Sequence, residues 1–367
     1  MRFPGFEGEW VSFALGQLCE EFQSGKGIKS DQIKDLGSYP VYGGNGLRGY
    51  TDSYNHEGVY TLIGRQGAKC GNVRLVSGRT YITEHAVAVK ANQANVTEFL
   101  NWLFIKMDLG QYSDQSAQPG LAVNKLVRLN AFVPKKEEQK RIADLMTLID
   151  ARIAIQNKVI EKYESLIKAL CHHLFSVGRD DVKRISDLGE YFSTMNLSKN
   201  DLSFSGEDCI LYGELFTTYG RIITEIKSRT NKRIGAVRSH NTDLLFPAST
   251  TVDALSLISP AAITKEGVIL GGDMFGIRIQ PNLDNRYLSY LLYYCYREKF
   301  AGYAQGSTII HLHYNDIKNI EIRVHDNATQ KRIAQLLSIL ETMRANQEQA
   351  LSYYSTQKAF LLKELFI

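Results

Sequence analysis

The segments Gln139-Lys140-Arg141-Ile142-Ala143 and Gln330-Lys331-Arg332-Ile333-Ala334 are one pentapeptide that occurs twice. Each begins a long stretch, 134–175 and 325–366, and the two stretches align without a gap at an offset of 191 positions (139 onto 330). Twelve of the forty-two aligned positions are identical. After Pro134 neither stretch contains glycine or proline, which favours a continuous helix in each. A repeat of this period indicates two copies of one architectural unit.

Both stretches also carry a seven-residue repeat. A second, weaker row of this repeat starts at Leu145 and Leu336. Rows of this kind predict an apolar stripe that pairs with another helix, and a glutamine within the stripe fixes the register. We expect the two helices to pack on each other as a spacer of about 60 Å; the alternative is two separate amphipathic surface helices. The stronger row is Ile142, Ile149, Gln156, Tyr163 and Leu170 in the first copy, and Ile333, Leu340, Gln347, Tyr354 and Leu361 in the second.

The composition is that of an ordinary globular protein. With 367 residues, 44% hydrophobic and 22% charged, the chain is long enough for two or three domains. The net charge of +4 permits a nucleic-acid partner without requiring one. The five cysteines are widely spaced and form no Cys-x-x-Cys pair, which favours a reducing cytosol. No apolar run is long enough to span a membrane and no signal-peptide core is present, so we expect a cytoplasmic protein.

The repeat divides the chain into four segments: a globular segment (1–133), a helical spacer (134–176), a second globular segment (177–324) and a second spacer (325–367). Short β-type runs and helix patterns alternate in the globular segments, which predicts a mixed α/β (α+β) fold. In the first segment the predicted elements include strands at Asn72–Val76 and Tyr81–Thr83 and a helix at Glu98–Leu109. In the second segment a helix is predicted at Asn285–Lys299.

The second globular segment repeats the first more loosely than the helices repeat each other. Leu211-Tyr212-Gly213 matches Val41-Tyr42-Gly43, and Gly306 through Val324 matches Gln115 through Val133 at the offset of 191. A shared frame with divergent globular segments suggests that the two segments recognise different things.

No sequence motif indicates an active site or a metal site. The seven prolines are never adjacent, which excludes the Asn/Asp-Pro-Pro-aromatic motif of methyltransferases, and neither a phosphate-binding loop nor a His-Glu-x-x-His zinc motif occurs. His311 and His313 share a strand face without a third ligand, so we interpret them as polar strand residues. Asp208, Glu225 and Lys227 resemble a nuclease set only at a level expected by chance. We therefore expect neither catalytic residues nor metal ligands.

Basic and aromatic residues are the candidates for contacts to double-stranded DNA. Arginine and lysine neutralise phosphates, and arginine also reads guanine edges. The stretch 217–241 holds six cations against one acid, Glu225, although a solvated hairpin is an equal alternative. Asn45 lies between glycines and could approach a base edge, although a tight turn explains the same pattern. The candidates are Lys26, Lys29, Tyr42, Asn45, Arg48, Arg65, Lys69 and Arg74 in the first segment, and Tyr212, Arg221, Lys227, Arg229, Lys232, Arg233 and Arg238 in the second.

Taken together, these stretches resemble the specificity (S) subunit of type I restriction-modification systems. The resemblance covers the whole chain, but the second globular segment departs from it, since Glu214-Leu215 replaces the Gly44-Asn45 pair. The segments that carry it are Arg2-Phe3-Pro4-Gly5-Phe6, Tyr39-Pro40-Val41-Tyr42-Gly43-Gly44-Asn45-Gly46, Leu62-Ile63-Gly64-Arg65-Gln66-Gly67, Thr83-Glu84-His85-Ala86-Val87 and Glu137-Glu138-Gln139-Lys140-Arg141-Ile142-Ala143.

The resemblance implies two target-recognition domains that each read one half of a split DNA site. It implies two antiparallel helices that set the distance between the halves and bind methyltransferase (M) subunits, with Arg141 and Arg332 among the interface candidates. Two M subunits would supply S-adenosylmethionine and methylate adenine, and two restriction (R) subunits would supply the ATP- and Mg-dependent steps. The chain itself would be non-catalytic and hold no cofactor. The alternatives are a protein-binding coiled-coil scaffold and an S subunit of a methylation-only or type II-like assembly.

Overall fold

The computed structural model describes residues 2–67, 69–114, 120–179 and 181–366. Residue 180 of the linker and residues 115–119, where the matched stretch Gln115–Val133 begins, lie outside the described part. The chain forms two compact units, one made of Met1–Asn157 with Gln349–Ile367 and the other of Lys158–Glu348. Each unit therefore contains one globular segment and half of each long helix. We call residues 1–133 head 1 and residues 177–324 head 2.

Head 1 is a mixed sheet with a helix packed on it. Its strands join in the order β2-β7-β5-β6-β3-β4, and β1 pairs with β8. The predicted strands Asn72–Val76 and Tyr81–Thr83 are parts of one strand, because Gly78 continues the ladder opposite Gly58. The elements are β1 (Val11–Ala14), β2 (Cys19–Ser24), β3 (Tyr39–Gly43), β4 (Gly46–Thr51), β5 (His56–Gly64), β6 (Val73–Ile82), β7 (Ala86–Ala91), α1 (Thr97–Met107), α2 (Val123–Leu126), β8 (Asn130–Val133) and the long helix α3 (Lys136–Leu174).

Head 2 repeats this plan with more, shorter strands. They form sheets in the orders β10-β19-β15-β17-β12 and β13-β11-β18-β14, and β9 pairs with β21 and β16 with β20. The predicted helix Asn285–Lys299 is divided, because the backbone leaves the helical region at Tyr296. The strands are β9 (Asp181–Arg184), β10 (Gly189–Ser193), β11 (Leu202–Leu211), β12 (Ile222–Ile223), β13 (Ser228–Thr230), β14 (Val237–Arg238), β15 (Asp243–Pro247), β16 (Ser249–Thr250), β17 (Ala261–Ile263), β18 (Ile269–Gly271), β19 (Met274–Ile279), β20 (Ile310–His311) and β21 (Glu321–Val324). The helices are α4 (Glu214–Thr217), α5 (Ala254–Leu257), α6 (Asn285–Cys295), α7 (Arg297–Ala301), α8 (Tyr314–Ile317) and the long helix α9 (Asn327–Glu364).

The long helices α3 and α9 pack on each other in antiparallel orientation. In the first unit Lys358 Nζ lies 2.6 Å from Asp150 Oδ1, and Arg152 donates a hydrogen bond of 3.4 Å to Tyr354 OH. The residue numbers rise along α3 while they fall along α9, so the two segments run in opposite directions. Of the described residues, no helix is both long and apolar enough to cross a bilayer.

The stronger predicted row lies on the inner side of both helices. The prediction that the weaker row lies there as well is wrong. Leu336 is 41% exposed, and the neighbouring Leu337 is fully buried. Met146 and Ile167 are likewise buried one position after the predicted row. The reason is that the helix ends pack on the heads, Met146 in the core of head 1 and Leu337 in the core of head 2. Of the stronger row, Ile142, Ile149 and Ile333 are buried and Gln156, Tyr163, Leu170, Leu340, Gln347, Tyr354 and Leu361 are half-buried; Leu145 is half-buried, and Arg141 and Arg332 are exposed.

A buried glutamine joins each head to its long helix. The Gln139 side chain accepts a hydrogen bond from Val96 N–H just before α1 (3.0 Å) and donates one to Pro134 O just before α3 (2.9 Å). The repeated residue Gln330 accepts from Asp284 N–H before α6 (3.0 Å) and donates to His325 O just before α9 (2.7 Å). The first residue of the repeated pentapeptide therefore fixes a head helix against a long helix in both units.

Replacing either glutamine is expected to destabilise its unit. Gln139→Ala leaves the partly buried Val96 N–H without its acceptor, and a loss of this kind lowers the free energy of unfolding by about 1–3 kcal/mol. Gln330→Ala should have the same effect through Asp284 N–H. Urea denaturation of the full chain measures the change. Lys140→Ala, at the exposed neighbouring position, is the control, and an equal loss in Gln139→Ala and the control would contradict the assigned role.

The corrected row is tested by two adjacent leucines. Leu337→Ala removes a fully buried side chain and should lower the free energy of unfolding by about 2–5 kcal/mol. Leu336→Ala removes a side chain that is 41% exposed and should change it by less than about 1 kcal/mol. The reverse order in thermal or urea unfolding would restore the row predicted from the sequence.

Candidate nucleic-acid interface

The turns of head 1 meet at one edge of its sheet. Gly25 N–H, after β2, donates a hydrogen bond of 3.0 Å to Ala86 O at the start of β7. Arg65 N–H, after β5, donates one of 2.9 Å to His85 O. These bonds draw together the segments that carry the candidate residues of head 1. We call this surface the loop edge of head 1; it consists of residues 25–29, 42–48, 64–67, 69–74 and 83–86.

Glycine allows the backbone segments of the loop edge to touch. A Cβ atom on Gly44 would lie 2.7 Å from His85 O, and one on Gly64 would lie 2.6 Å from Gly44 O. Gly43 pairs with Gly46 across the hairpin of β3 and β4, and the φ of Gly46 is +106°, which glycine adopts without strain. Asn45 is exposed at the tip of this turn. The glycine-rich motif is thus a tight turn that also presents an amide.

The cations of head 1 surround that turn. Arg48 contacts Gly43, and the guanidinium of Arg74 contacts Gly46. Arg65 is half-buried and donates hydrogen bonds to Leu121 O (3.3 Å) and Ser24 Oγ (3.2 Å), which hold its side chain in place. The structure therefore brings the predicted residues of head 1 to one surface. Lys26, Lys29, Arg48, Lys69 and Arg74 are exposed and Tyr42 is half-buried.

The predicted basic stretch of head 2 is largely neutralised. Its cations lie beside carboxylates of β11 and of the turn before it. These acids precede the cations by about 20 to 35 positions, so they lie outside the stretch 217–241 in which only Glu225 was counted. These contacts are partly exposed, so each contributes little to stability, but the surface is no bare cationic face. Lys227 is exposed. The ion pairs are Arg229 (3.5 Å) and Lys265 (2.6 Å) with Asp208, Arg233 (2.7 Å) and Arg238 (2.6 Å) with Glu207, and Lys232 with Asp201 (3.3 Å).

Arg221 was predicted to contact DNA and is instead a core residue. Its side chain is 9% exposed and donates hydrogen bonds of 2.7 Å to Pro260 O and Ser259 Oγ. Burial lowers the pKa of the guanidinium. Burial also raises the pKa of Glu341 on α9, which faces Arg221, while the arginine charge acts in the opposite direction and stabilises the carboxylate. Arg221 thus links head 2 to α9, so we remove it from the candidate DNA contacts.

Head 2 contains adjoining cavities. One of about 820 Å³ is lined by Thr194–Lys199, and an adjoining one of about 680 Å³ is lined by Ser249–Val252 and Arg297; both are lined by Tyr212 and Asp273. Among the lining residues, only Tyr212 and Arg221 were predicted from the sequence as DNA contacts. Many of the others lie on separate turns, so they form no local sequence pattern.

The alternative sites are not assembled. The rings of His311 and His313 stack at 6.0 Å, and among the described residues no group of three or more His, Cys, Asp or Glu is placed to hold a metal ion. The carboxylate of Asp208 is engaged by two cations. Burial raises the pKa of Cys19 to about 12, so its thiol is a poor nucleophile at neutral pH.

A matched glycine pair tests the loop edge. Gly44→Ala would place Cβ 2.7 Å from His85 O, and displacing that backbone should lower the free energy of unfolding by about 1–3 kcal/mol. Gly213→Ala in head 2 is the control, because nothing lies within 4 Å of its Cβ position and it should change stability by at most about 0.5 kcal/mol. Equal stability of the two variants in urea denaturation would show that the close approach is not required.

Known proteins share both the sequence pattern and the fold. A family model described as the type I restriction modification DNA specificity domain matches residues 7–165 and 180–352. The specificity subunit of the type I restriction enzyme EcoprrI from Escherichia coli is 44% identical over 175 residues. This alignment covers 47% of the present chain and 42% of that subunit, so it spans less than half of either.

Two further proteins are similar over nearly the whole chain. A putative type I restriction enzyme specificity subunit from Haemophilus influenzae is 20% identical over 371 aligned positions, which cover 92% of this chain and 89% of that protein. The crystal structure of the S subunit of a type I restriction-modification system from M. genitalium superposes with a TM-score of 0.74 at 16% sequence identity. The superposition covers 100% of this chain and 97% of that subunit. At that identity the structural match shows the fold.

Proposed function

The chain belongs to the type I restriction-modification DNA specificity family, and we propose that it reads a split DNA site for a methyltransferase and restriction complex. As a specificity subunit it has two target-recognition domains, heads 1 and 2. Each head would read one half of the site, and α3 and α9 would set the distance between the halves and bind the M subunits. We also propose that it works in the cytoplasm.

The observation that carries this proposal is a conserved frame with divergent edges. The same glutamine bonds fix both heads to the helices, yet head 1 presents a packed, cationic loop edge and head 2 presents cavities. A frame of this kind would place two readers along one duplex, and their differences would allow an asymmetric site. Phosphate contacts would position each head and a few side chains would select bases.

The helices have apolar surface left for partners. Leu148 is 64% exposed on α3 and its repeat counterpart Ile339 is 51% exposed on α9 (148 and 339 differ by 191). Ile155 and Tyr353 are also 61% and 64% exposed. Apolar side chains exposed along a helix favour a protein interface. They support docking of M subunits, of which we propose two, and R subunits, also two, would complete the complex.

We propose that catalysis belongs entirely to those partners. S-adenosylmethionine would be bound by the M subunits, and ATP and Mg by the R subunits, so this chain would act only by binding and positioning. The surfaces described above fit that role, since their side chains are suited to hold phosphates and base edges and not to transfer a group.

Methylome sequencing tests the proposal. The chain is co-expressed with the methyltransferase subunit encoded beside it, in a host that lacks DNA methylation. We expect modified adenine at one split motif, and its loss when either protein is omitted. Exchanging residues 182–324 for another head should change one half of the motif only. The exchange is feasible because its ends lie in the paired strands β9 and β21.

A protein scaffold would behave differently. It would hold its partner without DNA and show no salt-dependent DNA binding, whereas the recognition subunit should release DNA as salt rises. A stable complex that neither binds DNA nor modifies any adenine would overturn the proposal. Methylation without cleavage after addition of R subunits would instead indicate a methylation-only assembly.

A further inference from the structure

The two heads carry different side chains at one equivalent backbone position. In head 1, Arg65 N–H donates to His85 O and Arg65 O accepts from Leu121 N–H. In head 2, Ala248 N–H donates to Asp273 O (2.8 Å) and Ala248 O accepts from Leu312 N–H (2.9 Å), and Leu121 and Leu312 differ by the repeat offset of 191. Ala248 therefore occupies the place of Arg65.

This exchange leaves a short side chain beside a cavity of head 2. The Arg65 side chain extends from its turn to Ser24 Oγ and Leu121 O, whereas Ala248 ends at Cβ. The cavity beside Arg74 and the glycines of head 1 has a volume of only about 10 Å³. Beside Ala248, starting at Ser249, head 2 has the cavity of about 680 Å³, which we call the recess. Its volume lies within the range of about 300–1,000 Å³ typical of ligand sites.

The recess has a cation of its own, Arg297. Arg297 is half-buried and lies 4.6 Å from the centre of the Tyr293 ring, whose other neighbour is the buried Arg221 at 4.3 Å. Arg297 donates from Nε to Leu255 O (2.8 Å) and from Nη1 to Tyr293 OH (3.3 Å). A guanidinium has five donors, so others remain for a ligand.

The other charged groups around the recess have partners of their own. Arg221 is committed to Pro260, Ser259 and Glu341. Asp273, on the rim, is 47% exposed and lies 3.9 Å from His311. Asp253 accepts hydrogen bonds from Ser256, and the more distant charge of Arg297 contributes only slightly to the lowered pKa of its carboxyl. Hydroxyl groups complete the lining, at Thr217, Ser249, Thr250, Thr251, Ser256 and Ser259.

We propose that head 2 holds a phosphate of the DNA backbone in the recess, with Arg297 as its cationic donor. The inference rests on the proposed function and specifies which surface of head 2 meets DNA. Arginine binds phosphate through paired N–H groups, and the hydroxyl groups of the lining donate to the same oxygens. The ion-paired cations of the 229–238 hairpin are then peripheral.

Two substitutions on the same helix test the recess. Arg297→Ala should weaken binding of the complex to a duplex carrying the methylated motif by about ten- to hundredfold, the loss expected for a charged hydrogen bond. It should also reduce the slope of log affinity against log salt by about one. Lys299→Ala is the matched control, since it removes a cation two residues away that is exposed and donates to Glu321 O. It should bind within about twofold of the parent.

The outcomes separate this inference from the proposed function. If the parent complex binds no split-site duplex, the proposed function fails and the recess assignment fails with it. If the parent binds and Arg297→Ala behaves like Lys299→Ala, only the recess assignment is overturned. If Arg297→Ala loses affinity because head 2 unfolds, its melting temperature will fall. Arg297→Lys, which keeps the charge, must then retain the parent's melting temperature and salt slope for the assignment to stand.

Discussion

The hydrogen bonds of two buried glutamines are the constraint on which the rest of the molecule depends. Gln139 and Gln330 are almost completely buried, and each joins the backbone before a head helix to the backbone before a long helix. A buried amide with all its partners fixes one orientation, because any other arrangement leaves polar groups unsatisfied. Each head is therefore oriented by directional hydrogen bonds at the helix end. The apolar contacts around these bonds stabilise the junction but specify its orientation less strictly.

That fixed junction leaves the opposite edge of each head free to change. β15 pairs with β19, and Ala248 after β15 makes the same backbone hydrogen bonds as Arg65 in head 1. The backbone arrangement is therefore the same at a position where the side chain is arginine in one head and alanine in the other. Under the proposed function, this separation would let recognition vary while the geometry presented to the partner subunits stays constant. At this matched backbone position head 1 carries the long side chain of Arg65, whereas head 2 carries the methyl group of Ala248 beside a cavity.

The sequence predicted what depends on neighbouring residues and missed what depends on distant ones. The long helices were predicted to within about three residues, because glycine and proline are absent and the repeat is exact over five residues. The second row failed at Leu336, since the heads decide which face of each helix end is buried. The predictions of Arg221 as a DNA contact and of a bare basic stretch in head 2 were wrong for the same reason. The partners of these cations, such as Asp208 and Glu207, come from other strands. The loop edge of head 1 was predicted through its glycines, whereas the recess of head 2, made of scattered hydroxyl groups, has no local pattern.

The paired strands at the base of each head have a consequence for chain entropy. β1 with β8 and β9 with β21 close each head into a loop. The closing bond spans 114 positions in head 1 (15 to 129) and 135 in head 2 (185 to 320). Closure entropy grows only with the logarithm of loop length, so the longer head pays about 0.15 kcal/mol more. Insertions and deletions between the paired strands therefore change the free energy of closing the head very little. The same pair of helices can accommodate heads whose loops differ in length.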